Sequence, residues 1–320
     1  MLSIDFMKKK DVLVIGELNV DILLNKVEGF PVIGQEILAD EMTFTLGSSS
    51  AIFAANLASL GISTSFCGIV GKDFFGEFIL SELNKKQVET QLVVVSAHYQ
   101  TGLTMILNYQ QDRANVTHCG AMNHFHLKDI PADCFSDYKH LHLSSYFLQK
   151  GMQRDIVQLF KTARHKGMST SLDIQWDPAN KWDFPYKECL PYVDFFLPNE
   201  AEIFALTDTK QLCDAFDLLG PFANTIIVKR GINGALGYNK GTYTEANPYL
   251  HTYFVDAIGA GDSFNAGFIS SFLKGKSLRE SLLFGNLAGA INTTASGGTG
   301  AFSDLSSFVT KAKSIFNIEI

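Results

Sequence analysis

The chain has 320 residues, 46% of them hydrophobic and 18% charged, a globular composition that excludes intrinsic disorder. Its 33 acidic residues against 26 basic ones give a net charge of −7. That argues against nucleic acid or an anionic membrane surface as a partner, because both demand a positive face.

No apolar run reaches the roughly 18 residues that a membrane span needs. Lys8, Lys9 and Lys10 precede only Val12–Ile15 before Gly16 and Glu17, which is not a secretory signal, and Met7 offers an alternative start. Cys67, Cys119, Cys134, Cys189 and Cys213 are odd in number, scattered and never spaced C-x-x-C. They read as free thiols of a cytoplasmic protein. The pairs His124/His126 and His140/His142 would each share a strand face, but no Cys, Asp or Glu cluster joins them, so they read as structural and not as metal ligands.

In chain order, Val12–Ile15 is a continuous apolar strand of the kind found where both sheet faces are covered. Glu36–Leu46 places Leu38, Met42, Phe44 and Leu46 on one face, with Asp40 the exception. Ala51–Leu60 reads as a small-residue helix stopped by Gly61, Thr64–Val70 as a strand and Phe74–Lys86 as an amphipathic helix. Thr101–Tyr109 alternates Leu103, Met105, Leu107 and Tyr109 against Gly102, Thr104, Ile106 and Asn108. Strands follow at His140–Ser144, Ser169–Ile174, Val193–Leu197, Thr225–Lys229 and Leu250–Val255. Helices lie between or after them at Met152–Lys166, Glu200–Leu206, Lys210–Leu218, Asp262–Leu273, Leu278–Ile291 and Leu305–Phe316.

This alternation predicts one α/β domain over residues 1–320, with a mostly parallel sheet between helical layers. The two period-2 segments, about 35–46 and 98–110, form a small discontinuous β-element, either edge strands or a lid over a site.

The strongest local signal is Asp256-Ala257-Ile258-Gly259-Ala260-Gly261-Asp262, read as a glycine turn between the strand Leu250–Val255 and a helix. Gly259 and Gly261 open a backbone path on which free amides and the helix dipole can meet an anion. Asp262 beside such a hole is either a proton acceptor for an attacking hydroxyl or a plain helix N-cap. Gly16 stands without a G-x-G-x-x-G, and Gly275-Lys276-Ser277 follows a helix with Ser270 where a P-loop needs glycine, so neither dinucleotide nor P-loop binding is indicated.

The block Asp256–Phe264 resembles the D-T-x-G-A-G-D-x-F signature of the PfkB, or ribokinase-like, carbohydrate kinases. Further resemblances run in order along nearly the whole chain: Gly16–Asp21, Phe30-Pro31, Gly34–Glu36, Gly47–Gly61, Gly71–Gly76, Asn199–Glu202 and Gly231–Gly234. Departures are Gly47-Ser48 for a paired glycine, Ile52 for an Asn, Ala257-Ile258 where Thr is common, and Ser171–Pro178, which lacks the Asn and Arg of D-P-N-x-R.

The resemblance implies a ribokinase-like fold with a β-lid, and ATP-dependent phosphorylation of a small unphosphorylated sugar of ribose or fructose type. In that reading Asp262 takes the hydroxyl proton, and the amides of Gly259, Ala260 and Gly261 hold the transferring oxygens. Asn199 and Glu202 place Mg²⁺ through waters, unless the pair is only a capping box. Lys229, Gly231, Gly234, Gly298 and Gly300 contact the nucleotide, with a solvated lysine as the plain alternative for Lys229. A monovalent cation such as K⁺ would sit near Asp256 and Ile258.

Asn19, Asp21, Gly47, Ser48, Ser49 and Ile52 would bind the acceptor, Asp21 lying in a loop after the first strand. No Lys or Arg occurs between Lys26 and Lys72, which disfavours an acceptor phosphate unless Arg113 or a cation from a dimer partner's lid reaches the site. A homodimer through the apolar lid is expected. The competing readings are a nucleoside kinase, with Phe30 and Phe44 stacking a base, and a non-catalytic sugar-binding regulator.

Overall fold

The computed structural model describes residues 9–109 and 112–320. Met7, Lys8 and the last residue of the expected 98–110 lid segment lie outside these. The strands are β1 (Lys10–Ile15), β2 (Asn19–Val27), β3 (Ala39–Leu46), β4 (Thr64–Gly71), β5 (Glu89–Ser96), β6 (Gly102–Tyr109), β7 (Asp112–His118), β8 (Tyr138–Ser144), β9 (Ser169–Asp173), β10 (Phe195–Phe196), β11 (Thr225–Lys229), β12 (Ala235–Asn239) and β13 (Thr242–Ala246). The helices are α1 (Ser49–Ser59), α2 (Phe74–Lys85), α3 (Lys150–Gln153), α4 (Ile156–His165), α5 (Tyr186–Cys189), α6 (Glu200–Thr207), α7 (Leu212–Leu219), α8 (Ala260–Leu273), α9 (Leu278–Asn292) and α10 (Leu305–Phe316).

A nine-stranded sheet runs β13-β12-β11-β10-β9-β8-β1-β4-β5, parallel from β11 to β5 and antiparallel at the β11–β12–β13 edge. Its β1 shows why the apolar runs are continuous. Leu13 and Ile15 enter one core cluster while Val12 and Val14 enter the other, so both faces are dry. The fold is α/β with helices on both sides. The histidines of β8 belong to this interior. His140 bridges Ser169 and Ser171, and His142 bridges Ser171 and Ser144, all at 2.7–2.8 Å. Burial pushes His140 down to about 3, so the ladder is neutral. Among the described residues no group of three or more His, Cys, Asp or Glu is placed to hold a metal ion.

A second sheet, β3-β2-β6-β7, is the lid. It is larger than the two expected segments, because Asn19–Val27 and Asp112–His118 join it. Asn19 and Asp21 therefore stand on a lid strand and not in a loop. Its register gives it two unlike faces. Val20, Ile22 and Leu24 align with Leu46, Phe44 and Met42 and with Leu103, Met105 and Leu107. Asn19, Asp21, Thr104, Asn115 and Thr117 lie on the opposite, polar face.

Two expectations need correction. Met152–Lys166 breaks into α3 and α4 around Arg154 and Asp155. Leu250–Val255 is not a strand. Leu250 and Phe254 instead wall a cavity with Pro248 and Tyr249, so the run is apolar for a ligand-facing reason and not for sheet burial. The glycine turn of Gly259 thus follows an extended segment.

Candidate active site

Two cavities meet at the start of α8. The smaller, about 330 Å³, is bordered by Lys229, Arg230, Gly231, Gly234, Phe254, Gly261 and Asn286, among others. The larger, about 770 Å³, lies under the polar face of the lid and is bordered by Asn19, Asp21, Ser48, Ser49, Ile52, Asn199, Glu202, Gly259 and Asp262. Lys229, Gly231, Ala257 and Gly261 border both. A donor and an acceptor held in the two cavities would meet at Gly261 and Asp262.

The geometry of that junction follows from its glycines. Gly259 is the N-cap of α8 at φ 71, and a side chain there would lie 2.6 Å from the Gly298 Cα. No side chain caps the helix, so Asp262 in its first turn is not the N-cap. The amide of Ala260 donates to the Ala257 carbonyl at 3.3 Å. The amides of Gly259 and Gly261 remain to meet an anion, as expected of a helix start.

Asp262 is buried at the cavity wall, and Gln175 Nε2 donates to its Oδ1 at 3.1 Å. Burial raises its carboxyl well above the usual carboxylate range, reinforced by Asp173 and opposed by Lys229. Lys229 is no solvated lysine. Its ammonium is paired with the fully buried Asp173, which also accepts from Asn265 at 2.6 Å and Gln175 at 3.3 Å. Burial works against the Lys229 charge, but Asp173 and Glu202 outweigh it and hold the ammonium protonated.

Asn199 and Glu202 form the capping box of α6: Asn199 Oδ1 accepts from the Glu202 amide and Glu202 Oε2 from the Asn199 amide, both at 2.8 Å. Glu202 nonetheless borders the larger cavity, and burial lifts it to about 7. A carboxylate and an amide oxygen at the cavity wall fit a hard cation that keeps much of its water.

On the lid side, Asn19 Nδ2 donates to Asp21 Oδ1 at 2.9 Å and to Thr104 Oγ1 at 3.1 Å. Burial lifts Asp21 to about 7, against the nearby charge of Arg113. Gly47 is small for a stated reason: a Cβ there would sit 2.2 Å from Asp21 Oδ1. Ser48 caps α1 through Ala51 N at 2.9 Å and donates to the Glu17 carbonyl at 2.6 Å.

Ile52 borders the cavity but packs on the backbone of Gly259 and Gly298. Gly298 and Gly300 border neither cavity. The Gly298 carbonyl accepts from Asn56, tying that loop to α1. Asp256 accepts from the amides of Ile258 and Gly297 at 2.9 Å, and the Ile258 carbonyl accepts from Asn292 at 2.6 Å. Phe30 and Phe44 do not border the larger cavity; Phe30 packs at a tilt on Tyr109 and Phe44 on Phe78.

Several bordering residues escaped the sequence reading: Thr104, Asn115, Thr117, Gln175 and Trp176, while Arg113, the cation whose reach to the site counts against the argument from missing Lys and Arg, does border the larger cavity. The alternation of Arg113, Asn115 and Thr117 against Ala114 and Val116 was the available signal for the β7 group.

Residues 9–304 match the pfkB family of carbohydrate kinases. An uncharacterized sugar kinase of Archaeoglobus fulgidus is 30% identical over 240 residues, 73% of this chain and 92% of that protein. The ribokinase of Lactococcus lactis is 26% identical over 304 residues, 94% of this chain and 97% of that protein. The solved structure of Arabidopsis thaliana ribokinase complexed with ribose and ATP superposes with a TM-score of 0.81 at 23% identity, over 94% of this chain and 98% of that one, a likeness of fold. With the family matched over most of its length, the chain belongs to the pfkB family of carbohydrate kinases and is an ATP-dependent sugar kinase.

Proposed function

We propose that the enzyme transfers the γ-phosphoryl group of ATP to a hydroxyl of a small unphosphorylated sugar of ribose or fructose type. The smaller cavity takes the nucleotide and the cleft under the lid takes the sugar. Asp262 accepts the proton of the attacking hydroxyl as its oxygen bonds to the γ-phosphorus. The bond to the bridging oxygen breaks, and ADP leaves with the electron pair. Amides of Gly259 and Gly261, with the Lys229 ammonium, meet the charge on the transferring oxygens. Bound Mg²⁺ would neutralise the phosphates, held through water by Glu202 and Asn199.

The observation that carries this reading is the buried Asp262 on the larger cavity, next to Gly261, which borders both cavities. Acceptor charge is argued from the same wall. Glu17, Asp21, Glu202 and Asp262 border the cleft against only Arg113 and Lys229, and each of those cations faces a carboxylate. A phosphate or nucleoside phosphate would have to displace a carboxylate from one of those cations, whereas hydroxyls suit Asn19, Asp21, Ser48 and Thr104. The cytoplasm, where ATP is available, is the compartment this reaction requires.

ATP turnover with a panel of sugars, sugar phosphates and nucleosides tests the reading. A free sugar is expected to give the highest kcat/KM. A sugar phosphate about tenfold better than every free sugar and nucleoside would overturn the acceptor class.

A further inference from the structure

The segment after β9 has no role in the chemistry described so far, yet it is built with unusual care. Gln175, Asn180 and Trp182 all lie in the left-handed region, at φ 58, 51 and 53. None is glycine, so the backbone is strained, and strain of this kind persists only where neighbouring groups enforce it. At Gln175 the amide donates to Asp173 Oδ1 at 3.3 Å. Around Asn180 and Trp182 the enforcing group is Asp177. Its buried carboxylate accepts from the amides of Ala179 at 2.8 Å and of Lys181 and Trp182 at 2.7 Å.

The turn so fixed presents two side chains to the cleft. Gln175 Nε2 reaches both Asp173 and Asp262. Trp176 borders the same cleft with 51% of its surface exposed. Its ring is braced edge-on by Trp182 at 5.0 Å, and Trp182 in turn stands edge-on to Phe147 at 5.4 Å. A large apolar ring braced in this way and half uncovered at a cavity suits stacking against another flat apolar surface.

We propose that this turn selects the acceptor: Trp176 receives the apolar C–H face of a sugar ring, and Gln175 couples that seat to the orientation of Asp262. The proposal rests on the kinase reading above and deepens it. A sugar ring fits better than a nucleobase, because Trp176 is the only aromatic side chain bordering the cleft among the described residues. A base would leave its second face on polar walls. Gln175 is a positioning residue. Its Nε2 donates to Asp262 Oδ1 at 3.1 Å, a bond that favours the ionised carboxylate. Burial, then Asp173, Glu17 and Glu202, push that carboxyl upward, and Lys229 opposes them.

The test uses three variants of the full chain and one acceptor panel: D-ribose, D-fructose, 2-dehydro-3-deoxygluconate and adenosine. Trp182→Phe leaves Trp176 as the only tryptophan, since the chain has two. Its emission should change saturably with a sugar in the absence of ATP, and not with adenosine. Trp176→Ala should lower kcat/KM for the best sugar by about tenfold or more with the KM for ATP within about twofold, and Trp176→Phe should recover part of the loss. Gln175→Leu should lower kcat and move the acid limb of its pH profile upward, a shift that a merely structural role would not produce.

Unchanged sugar kcat/KM in Trp176→Ala, or adenosine alone moving the Trp176 emission, would overturn the platform. An unmoved acid limb in Gln175→Leu would overturn the coupling. Wild-type turnover on the same panel reports separately on the kinase reading. No turnover together with a sugar-dependent emission change would sink that reading and leave the platform standing.

Discussion

Gly261 and Gly259 stand two residues apart but answer to different constraints. A Cβ on Gly261 would meet nothing closer than Lys229 Nζ at 3.6 Å, an ordinary contact. The fold therefore accepts alanine there, and helix propensity favours it by about 1 kcal/mol. The same Cβ points into the junction where the phosphoryl group must pass. Gly261→Ala should keep or raise Tm while kcat/KM for ATP falls by about tenfold or more, read by calorimetry and steady-state kinetics on one preparation. Full activity in that variant would remove the anion site from Gly261. Gly259 offers no such separation, because φ 71 and the Gly298 backbone both oppose a side chain.

At the scale of elements, α6 carries two duties at its first turn. Its capping box accounts for Asn199 and for Glu202 Oε2, while the cleft accounts for the burial of Glu202. Gln at the same position keeps the capping geometry and loses the charge. Glu202→Gln should therefore raise the Mg²⁺ concentration for half-maximal turnover several-fold with little change in Tm. A purely capping Glu202 would leave the Mg²⁺ requirement unmoved.

How legible such elements were in the sequence depended on what their apolar residues face. Strand β1 is buried on both sides, and its unbroken Val-Leu-Val-Ile run announced it. Strands β2 and β7 were not read, because their polar alternates, Asn19 and Asp21 or Asn115 and Thr117, face a ligand cleft and look like loop residues. Leu250–Val255 failed in the opposite sense, since its Leu250 and Phe254 line a cavity. Asp262, Gly259, Gly261 and Asn199 were legible because glycine spacing and capping chemistry act locally. Gln175 was not, because its importance lies in contacts with Asp173 and Asp262 that only the folded chain creates.

For the whole molecule, the two-faced lid is the telling feature. Its polar face borders the larger cavity. Its other face aligns Ile22, Phe44, Met105 and Val116 in one row across four strands. Part of that face packs on α2 through Phe44 and Phe78, but Met42 and Val116 on it are 67% and 66% exposed. An apolar sheet face of this kind is costly in water and invites a second copy. The enzyme should run as a dimer in light scattering at tens of micromolar, and Val116→Lys should shift it toward monomer. A wild-type monomer at that concentration would remove the lid from the assembly.

The whole arrangement turns on Asp262 as the proton acceptor between two bound substrates. The most direct measurement is kcat of Asp262→Asn, with ATP and sugar binding followed by calorimetry on the same protein. Loss of roughly 10²–10⁴-fold in kcat with both ligands still bound is the expected result. Near-normal kcat with chemistry rate-limiting would contradict it.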